Sequence, residues 1–283
     1  MVNRLSTRQL ELKSIHYRKT ILSIISQAGG GHTAGSLSCT DILNVLYNRI
    51  MDITPANFNT VARDHYIHSK GHSVEALYTV LADVGFFPAE ELATLSRAGS
   101  HFVGHPTRKV PGIEHNTGAL GHGLAVAVGL ALALKQDGLP HRVFALLGDG
   151  ELAEGSNWEA SMSAAHYKLD NLVVIIDRND LQITGFTEEV MALEPLADKF
   201  RAFGYAVQEV DGNAIPDLVD RLERIPFTPG KPNLLLAHTI KGRGVSFMEN
   251  VASWHHHVPN EDELRLALQE LDHAETMLMG VPQ

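Results

Sequence analysis

Three apolar runs alternate with segments of helical composition in the second half of the chain, and this alternation constrains the fold more than any other feature. The runs are RVFALLGDG at 142–150, NLVVIIDRN at 171–179 and NLLLAHT at 233–239. Strands that are continuously apolar are buried on both faces of a sheet. Strands that alternate with helices form a parallel sheet with helices on both faces. We therefore predict an α/β fold.

Other periodic segments complete the predicted order of elements. Helices are predicted at 6–28, 39–49, 125–135, 151–167, 196–203, 215–224 and 261–280, with another that ends at residue 83. Short strands are predicted within 64–72 and at 205–210. The segments 28–38 and 104–123 are predicted to be loops, because they are rich in glycine. No proline- or serine-rich linker divides the sequence, so residues 1–283 are predicted to form one domain that begins and ends with a helix.

Charge and composition exclude several kinds of partner. The net charge is −10 and there is no long basic run, which argues against nucleic acid but not against a small phosphorylated ligand. The longest apolar run, 124–134, would span roughly 16 Å as a helix, about half of a bilayer core. Cys39 is the only cysteine, so no intrachain disulfide can form. We expect a cytoplasmic protein without a membrane partner.

Asp149 lies between Gly148 and Gly150, immediately after the first apolar run. Ligands of parallel sheets bind at the carboxyl ends of the strands. The glycines allow close approach of a bulky group, and the amides that begin the next helix favour a phosphate. An acid beside a phosphate requires a cation between them, and Mg²⁺ takes oxygen ligands of this kind. Asp149 is therefore predicted to bind Mg²⁺.

Asn179 ends the second apolar run and follows Asp149 by 179 − 149 = 30 residues, about one strand–helix–strand unit. Its amide oxygen would be a second, neutral ligand. The main-chain carbonyl of Leu181 could supply a third. A GDG triplet alone is often only a turn, but its position after one strand, with Asn179 at the end of the next, makes the metal site the stronger interpretation.

This spacing resembles the thiamine diphosphate motif, in which the Asp, the Asn and a main-chain oxygen bind the Mg²⁺ that anchors the cofactor's diphosphate. Four further segments resemble, in order, the amino-terminal half of transketolases. They are GGGHTAGSLS, HSKGHSVEALY, GHPTRKVPGIEHNTGALGHGL and TIKGRGVSFMENVASWHHH. The resemblance covers residues 10–265 and implies the thiamine-diphosphate-binding fold. It also implies thiamine diphosphate and Mg²⁺ as cofactors, with Ca²⁺ or Mn²⁺ as substitutes for Mg²⁺.

The resemblance also implies catalytic roles for four of the 16 histidines. His32 and His105 match histidines that face the substrate, and His72 matches one near the cofactor diphosphate. His255 matches a histidine that lies beside both the diphosphate and the substrate. Ketol transfer moves protons to and from sugar hydroxyls, which requires acid–base groups of this kind.

The residues after His255 depart from the family pattern. The family usually has glycine after this histidine, whereas this chain has His256 and His257. Either of these neighbours could take the role of His255.

Further residues match the family's cofactor-binding segments. The predicted cofactor contacts, besides the histidines and the metal ligands, are Gly118, Leu120, Gly121, Gly148, Gly150 and Glu151. Glu154 and Glu159 match acids that form a network between paired active sites.

The resemblance extends only to the diphosphate-binding half of a transketolase. The family's other half binds the aminopyrimidine ring and the sugar phosphate. The resemblance therefore implies the N-terminal subunit of a split transketolase, which transfers a two-carbon ketol unit from a ketose to an aldose, with sugar phosphates as the expected substrates. It would be active only with a separate C-terminal subunit, in a heterotetramer.

Two alternatives remain open from the sequence. One is another thiamine diphosphate enzyme, either the α subunit of a 2-oxoacid dehydrogenase or a deoxyxylulose-phosphate synthase. The other is a non-catalytic regulatory module that kept the fold. The GHP segment at 104–106 and the additional histidines favour ketose chemistry.

Overall fold

Five parallel strands form the central sheet in a computed structural model, which describes residues 5–280. The strands are β1 (His65–His68), β2 (Val143–Gly148), β3 (Leu172–Arg178), β6 (Ala206–Asp211) and β7 (Asn233–His238), and a separate hairpin contains β4 (Leu181–Gln182) and β5 (Gly185–Phe186). The order across the sheet is β1-β2-β3-β7-β6, with all neighbours parallel. The predicted α/β fold with a parallel sheet is confirmed.

Helices cover both faces of this sheet. They are α1 (Thr7–Ala28), α2 (Thr33–Ser38), α3 (Thr40–Val45), α4 (Val74–Asp83), α5 (Gly123–Gln136), α6 (Gly155–His166), α7 (Thr187–Val190), α8 (Leu196–Phe203), α9 (Ile215–Leu222) and α10 (Glu261–Gly280). Side chains of a strand alternate between faces, so Phe144 and Leu146 join a core with α1, α3, α4 and α9. Ala145 and Leu147 join a second core with α5, α6 and α8.

The two terminal helices agree with the prediction. Helix α1 begins at a capping box, in which the Ser6 amide donates to Oε1 of Gln9 at 2.8 Å. It ends at Gly29, whose φ of 65° suits a residue without a Cβ atom. Between Leu5 and Gly280, none of the helices has both the length and the apolar character needed to cross a membrane.

Three predicted boundaries are wrong. The predicted glycine-rich loop at 28–38 is helical from Thr33 onward, because Thr33–Ser38 is entirely buried and packing outweighs the low helix propensity of glycine. The predicted helix at 39–49 ends in a π turn, Leu46–Ile50. The predicted helix at 151–167 begins later, at Gly155, after a 3-10 turn at Gly150–Ala153.

Candidate active site

Four neighbouring strands end at one edge of the sheet, and the segments that follow them enclose a cleft of about 560 Å³. β1 leads to Lys70 and His72, and β2 leads to Asp149. β3 leads to Asn179, and β7 leads to Lys241. The parallel topology therefore brings together side chains that are far apart in the sequence.

Nearly all of the predicted site residues line this cleft. They are His32, His72, His105, Gly118, Leu120, Gly148, Asp149, Gly150, Glu151, Asn179, Leu181 and His255. Gly121 does not line the cleft, but its amide donates to Oε1 of Glu151 at 2.9 Å, directly behind the wall. Glu154 and Glu159 are exposed and lie outside the cleft lining.

The Asp149 carboxylate is 2% exposed and is held by backbone amides. Oδ1 accepts from the Gly150 amide at 2.8 Å, and Oδ2 accepts from the Asp180 amide at 2.7 Å. Oδ2 also lies 3.3 Å from Nη1 of Arg178. Burial, with the nearby Asp177 charge, raises the pKa of Asp149 to about 6 in spite of these partners. The carboxylate is therefore short of compensating positive charge.

Two further oxygens lie on the segment that follows β3. Oδ1 of Asn179 accepts from the Leu181 amide at 3.2 Å, and the Leu181 carbonyl accepts from Nζ of Lys241 at 2.8 Å. A carbonyl oxygen has two lone pairs, so this bond leaves one free for a cation. Carboxylate, amide and carbonyl oxygens form the hard donor set that Mg²⁺ and Ca²⁺ prefer. The three predicted metal ligands are thus neighbours with suitable chemistry.

The four predicted histidines form a cluster around His32. The centroid of its ring lies 5.5 Å from His72, 5.8 Å from His105 and 5.7 Å from His255. Burial and the charges of neighbouring histidines and lysines lower the pKa of His32 to about 4 and that of His255 to about 3. The rings are therefore neutral at pH 7 in the absence of an anion. Nδ1 of His32 is buried without a hydrogen-bond partner.

The three successive histidines lie in different surroundings. His255 is 8% exposed, stacks on His72 at 5.6 Å between centroids and lies 2.8 Å from Nζ of Lys241 through Nδ1. His256 is exposed but lines the cleft, with its ring 4.3 Å from His32. His257 lies 3.0 Å from a Glu263 carboxylate outside the cleft lining. Of the three, only His255 is both buried and part of the cleft lining.

Two glycines of the predicted cofactor loop have conformations that other residues rarely adopt. Gly118 has a φ of 134°, and a Cβ atom there would lie 2.7 Å from Cδ2 of His105. Gly121 has a φ of 86°, and its Cβ atom would lie 2.5 Å from Cβ of Glu154. A side chain at Gly118 would therefore displace His105 in the cleft wall, and one at Gly121 would displace Glu154 outside it.

Glu151 supports the cleft wall from behind. Its carboxylate accepts from Ser69 Oγ, from the Gly121 amide at 2.9 Å and from the Gly148 amide at 3.1 Å. It therefore fixes three segments to one another: the ends of β1 and β2, and the glycine loop.

Sequence reasoning missed the two buried lysines of the cleft and the acid beneath it. Lys70 is fully buried and pairs with Asp177, which also accepts from Thr239 Oγ1 and from Ser38 Oγ at 2.6 Å. Lys241 is 2% exposed, and burial together with Lys70 lowers its pKa to about 8. An acid within the apolar run VVIID was the available signal, because a buried carboxylate requires a cation.

Comparison with known proteins agrees with this geometry. Residues 12–283 match the family described as "Transketolase, thiamine diphosphate binding domain". An apulose-4-phosphate transketolase subunit of Phocaeicola vulgatus is 49% identical over 262 residues, which are 93% of this chain and 93% of that protein. The "6-deoxy-6-sulfo-D-fructose transketolase subunit SqwG" of a Clostridium species is 43% identical over 90% of this chain and 93% of that protein.

The solved transketolase of Leishmania mexicana superposes on 98% of this chain with a TM-score of 0.84 and 26% sequence identity. This chain spans only 46% of that solved chain. Fold, sequence and cleft lead to the same assignment: the chain belongs to the transketolase family and corresponds to its thiamine diphosphate binding domain.

Proposed function

We propose that this chain is the N-terminal subunit of a transketolase that uses thiamine diphosphate and Mg²⁺ to transfer a two-carbon ketol unit from a ketose to an aldose. The observation that supports this most is one cleft that collects an oxygen donor set and a histidine cluster at the carboxyl edge of the sheet. The donor set is Asp149, Asn179 and Leu181, and the cluster is His32, His72, His105 and His255.

Asp149, Asn179 and the Leu181 carbonyl would hold the metal ion. The raised pKa of Asp149 supports this role, because a buried carboxylate with too little positive charge nearby gains from a divalent cation. Ca²⁺ or Mn²⁺ would fit the same oxygen donors.

The cofactor's diphosphate would lie against the metal ion and the basic side of the cleft. His72, His255 and Lys241 line that side, and Gly148 and Gly150 allow the group to approach the backbone. Gly118, Leu120 and Gly121 would form the loop that borders the cofactor, with Glu151 fixing that loop from behind. When bound, thiamine diphosphate would supply the carbanion chemistry of the transfer.

The histidines would bind the sugar and move its protons. His32 and His105 line the cleft, and burial lowers the pKa of both, which favours the neutral imidazole that can accept a proton from a hydroxyl and donate one in return. Burial and, after it, neighbouring positive charges hold the pKa of His32 down, and an anionic ligand in the cleft would offset the charges and raise this pKa toward its ordinary value. The protein's own contribution is thus acid–base groups that become effective when the anion is bound.

A separate C-terminal subunit would complete the enzyme. Two relatives are named as transketolase subunits, and this chain matches nearly their whole length. We infer that residues 1–283 form one domain that assembles with a pyrimidine-binding partner in a cytoplasmic heterotetramer. Glu154 and Glu159, exposed in the single chain, would then meet residues of other subunits.

The substrates would be sugar phosphates or ketoses with a comparable anionic group. The two relatives are named for different sugars, one a phosphate and one a sulfo sugar, so their names do not select one for this chain.

The family match favours this function over both alternatives. A deoxyxylulose-phosphate synthase and the α subunit of a 2-oxoacid dehydrogenase are less favoured, because the curated relatives are named transketolases. A regulatory remnant is disfavoured because the donor set and the histidines are all present in one cleft.

The test is a transfer assay with thiamine diphosphate, Mg²⁺ and a ketose phosphate donor, run with this chain alone and with the partner that copurifies from its source. We expect transfer only in the reconstituted complex. Robust transfer by this chain alone would rule out the split enzyme. No transfer by a cofactor-loaded complex with any ketose phosphate or sulfo ketose would rule out transketolase chemistry.

A further inference from the structure

Arg178, at the end of β3, contacts four carboxylates although it carries one positive charge. Nη1 lies 3.3 Å from Oδ2 of Asp149 and 3.1 Å from Oδ1 of Asp180. Nη2 lies 2.9 Å from Oε1 of Glu188 and 3.0 Å from Oε1 of Glu194. The guanidinium and the Asp149 side chain are each 3% exposed, whereas the side chains of Asp180, Glu188 and Glu194 are 57%, 42% and 52% exposed, so solvent screens the contact with Asp149 least. One buried cation therefore joins several segments of the chain.

Three of these acids belong to residues 180–194, which we call the β3–α8 loop. Its first part contributes Gln182, Ile183 and Thr184 to the wall of the cleft. Its far end, 187–194, includes α7 and is bound to Arg178 by Glu188 and Glu194. Oε1 of Glu188 also accepts from the Leu193 amide at 3.0 Å, so the ion pair and the local backbone support each other.

The near end of the loop contacts Asp149 directly. The Asp180 amide donates to Oδ2 of Asp149 at 2.7 Å, and Asp180 has a φ of 63°, a conformation that a residue with a short polar side chain tolerates. The far end is joined to Asp149 through the guanidinium of Arg178. The two ends therefore have different links to the same carboxylate.

The charges around Asp149 determine how a cation bound there would affect the contacts of Arg178. The cluster has four carboxylates and one guanidinium, so negative charge is in excess and Asp149 competes with the loop acids for Arg178. A divalent cation at Asp149 would offset much of this excess and reduce the attraction of Arg178 to Asp149. The cation would also repel the guanidinium, so Arg178 would be held more by Glu188 and Glu194 than by Asp149.

We propose that Arg178 is a positioning residue that transmits occupancy of the metal site at Asp149 to the far end of the β3–α8 loop, so that cation binding tightens this wall of the cleft. This inference rests on the proposed function, because it requires a cation bound at Asp149.

Hydrogen exchange of this chain in complex with its copurified partner, with and without Mg²⁺ and thiamine diphosphate, tests the proposal. In the wild type, the cofactors should slow exchange of the Met191 and Leu193 amides by about tenfold, the equivalent of one charge-assisted hydrogen bond. In Arg178→Gln, this slowing should disappear at 187–194 but persist at 180–182. If Arg178 had only a structural role, Arg178→Gln would speed exchange at 187–194 by the same factor with and without the cofactors. That result would overturn the proposal.

If Arg178→Gln does not fold, variants of its exposed partners Glu188 and Glu194 still test the proposal. The side chains of Glu188 and Glu194 are 42% and 52% exposed, so Glu188→Gln and Glu194→Gln should fold and should each reduce the cofactor-induced slowing at 187–194. Glu189→Gln is the matched control, because its carboxylate is next in sequence but is not among those that contact Arg178. An equal effect of Glu189→Gln would contradict the proposal.

The exchange responses of the two parts of the loop also distinguish a failure of this inference from a failure of the proposed function. If 180–182 responds to the cofactors and 187–194 does not, the metal site stands and the coupling through Arg178 is wrong. If neither part of the wild-type loop responds and calorimetry detects no cation, both are wrong.

Discussion

Lys70 and Asp177 form an ion pair beneath the candidate active site, with their side chains only 1% and 0% exposed. Burial alone would disfavour both charges, but the Lys70 ammonium and hydrogen bonds from Ser38 and Thr239 keep the pKa of Asp177 below its ordinary value. Nδ2 of Asn179 also donates to Asp177, at 3.3 Å. The pair therefore lies beneath a predicted metal ligand and fixes its orientation.

Removing one partner of this pair should be costly. In Asp177→Asn the Lys70 ammonium remains buried without its counter-ion, so we expect the free energy of unfolding to fall by about 3 kcal/mol or more. Urea denaturation measures this change. Asp262→Asn, which removes the exposed partner of Arg265, is the control and should have a far smaller effect. A loss below about 1 kcal/mol in Asp177→Asn would mean that the pair is not the main constraint here.

Asp149→Ala should abolish Mg²⁺-dependent binding of thiamine diphosphate while the fold is retained. We expect the affinity to fall at least about 100-fold, because the only carboxylate of the donor set is removed. Calorimetry of the full chain with its copurified partner measures binding, and circular dichroism checks the fold. Asp137→Ala, at an exposed helix end, should bind as the wild type does. Unchanged affinity in Asp149→Ala would show that the metal assignment is wrong.

His255, rather than His256, should matter for the cofactor. His255 is buried against Lys241 and His72, whereas His256 is exposed and stands where relatives of the family usually have glycine. We expect His255→Ala to weaken thiamine diphosphate binding about tenfold, the loss of one hydrogen bond to a charged group, and His256→Gly to weaken it much less. Titration of tryptophan fluorescence with the cofactor would compare the two. The reverse order would assign the family's role to His256.

Glu75 should make the protein less stable as the pH rises. Its side chain is fully buried in α4, and burial raises its pKa from 4.5 to about 7. A carboxyl with a raised pKa binds more protons in the folded state than in the unfolded state, so its contribution to stability is present below 4.5 and is lost as the pH rises to about 7. The change amounts to about 3 kcal/mol across this range.

Denaturation of the wild type and Glu75→Gln at several pH values isolates this contribution. The difference in free energy of unfolding between the two should shift in favour of the variant as the pH rises, because glutamine does not ionise. Glu91→Gln, at an exposed position, should follow the wild type at every pH. A difference between wild type and Glu75→Gln that does not change with pH would show that Glu75 does not titrate in this range.

The fold and the shared location of Asp149 and Asn179 could be predicted because each depends on local pattern. Apolar runs that end in Asp149 and Asn179 place both residues at the same edge of a parallel sheet, whatever else the chain does. The histidines were found through resemblance, since no periodicity distinguishes His32 from an ordinary loop histidine.

Lys70, Lys241 and Arg178 could not be identified in the same way. Their roles arise from tertiary pairing with groups that can lie far away in the sequence, up to 107 residues in the contact of Lys70 with Asp177. The helix at Thr33–Ser38 was missed for a related reason, because burial of glycine-containing segments is decided by neighbours that the local sequence does not reveal. Long-range pairing thus accounts for most of what the sequence left open.

Native mass spectrometry of the protein purified from its source, with thiamine diphosphate and Mg²⁺ present, tests the central claim most directly. The split transketolase predicts a heteromer of this chain with a second chain of comparable size and with bound cofactor. A homo-oligomer without a partner and without cofactor would contradict it.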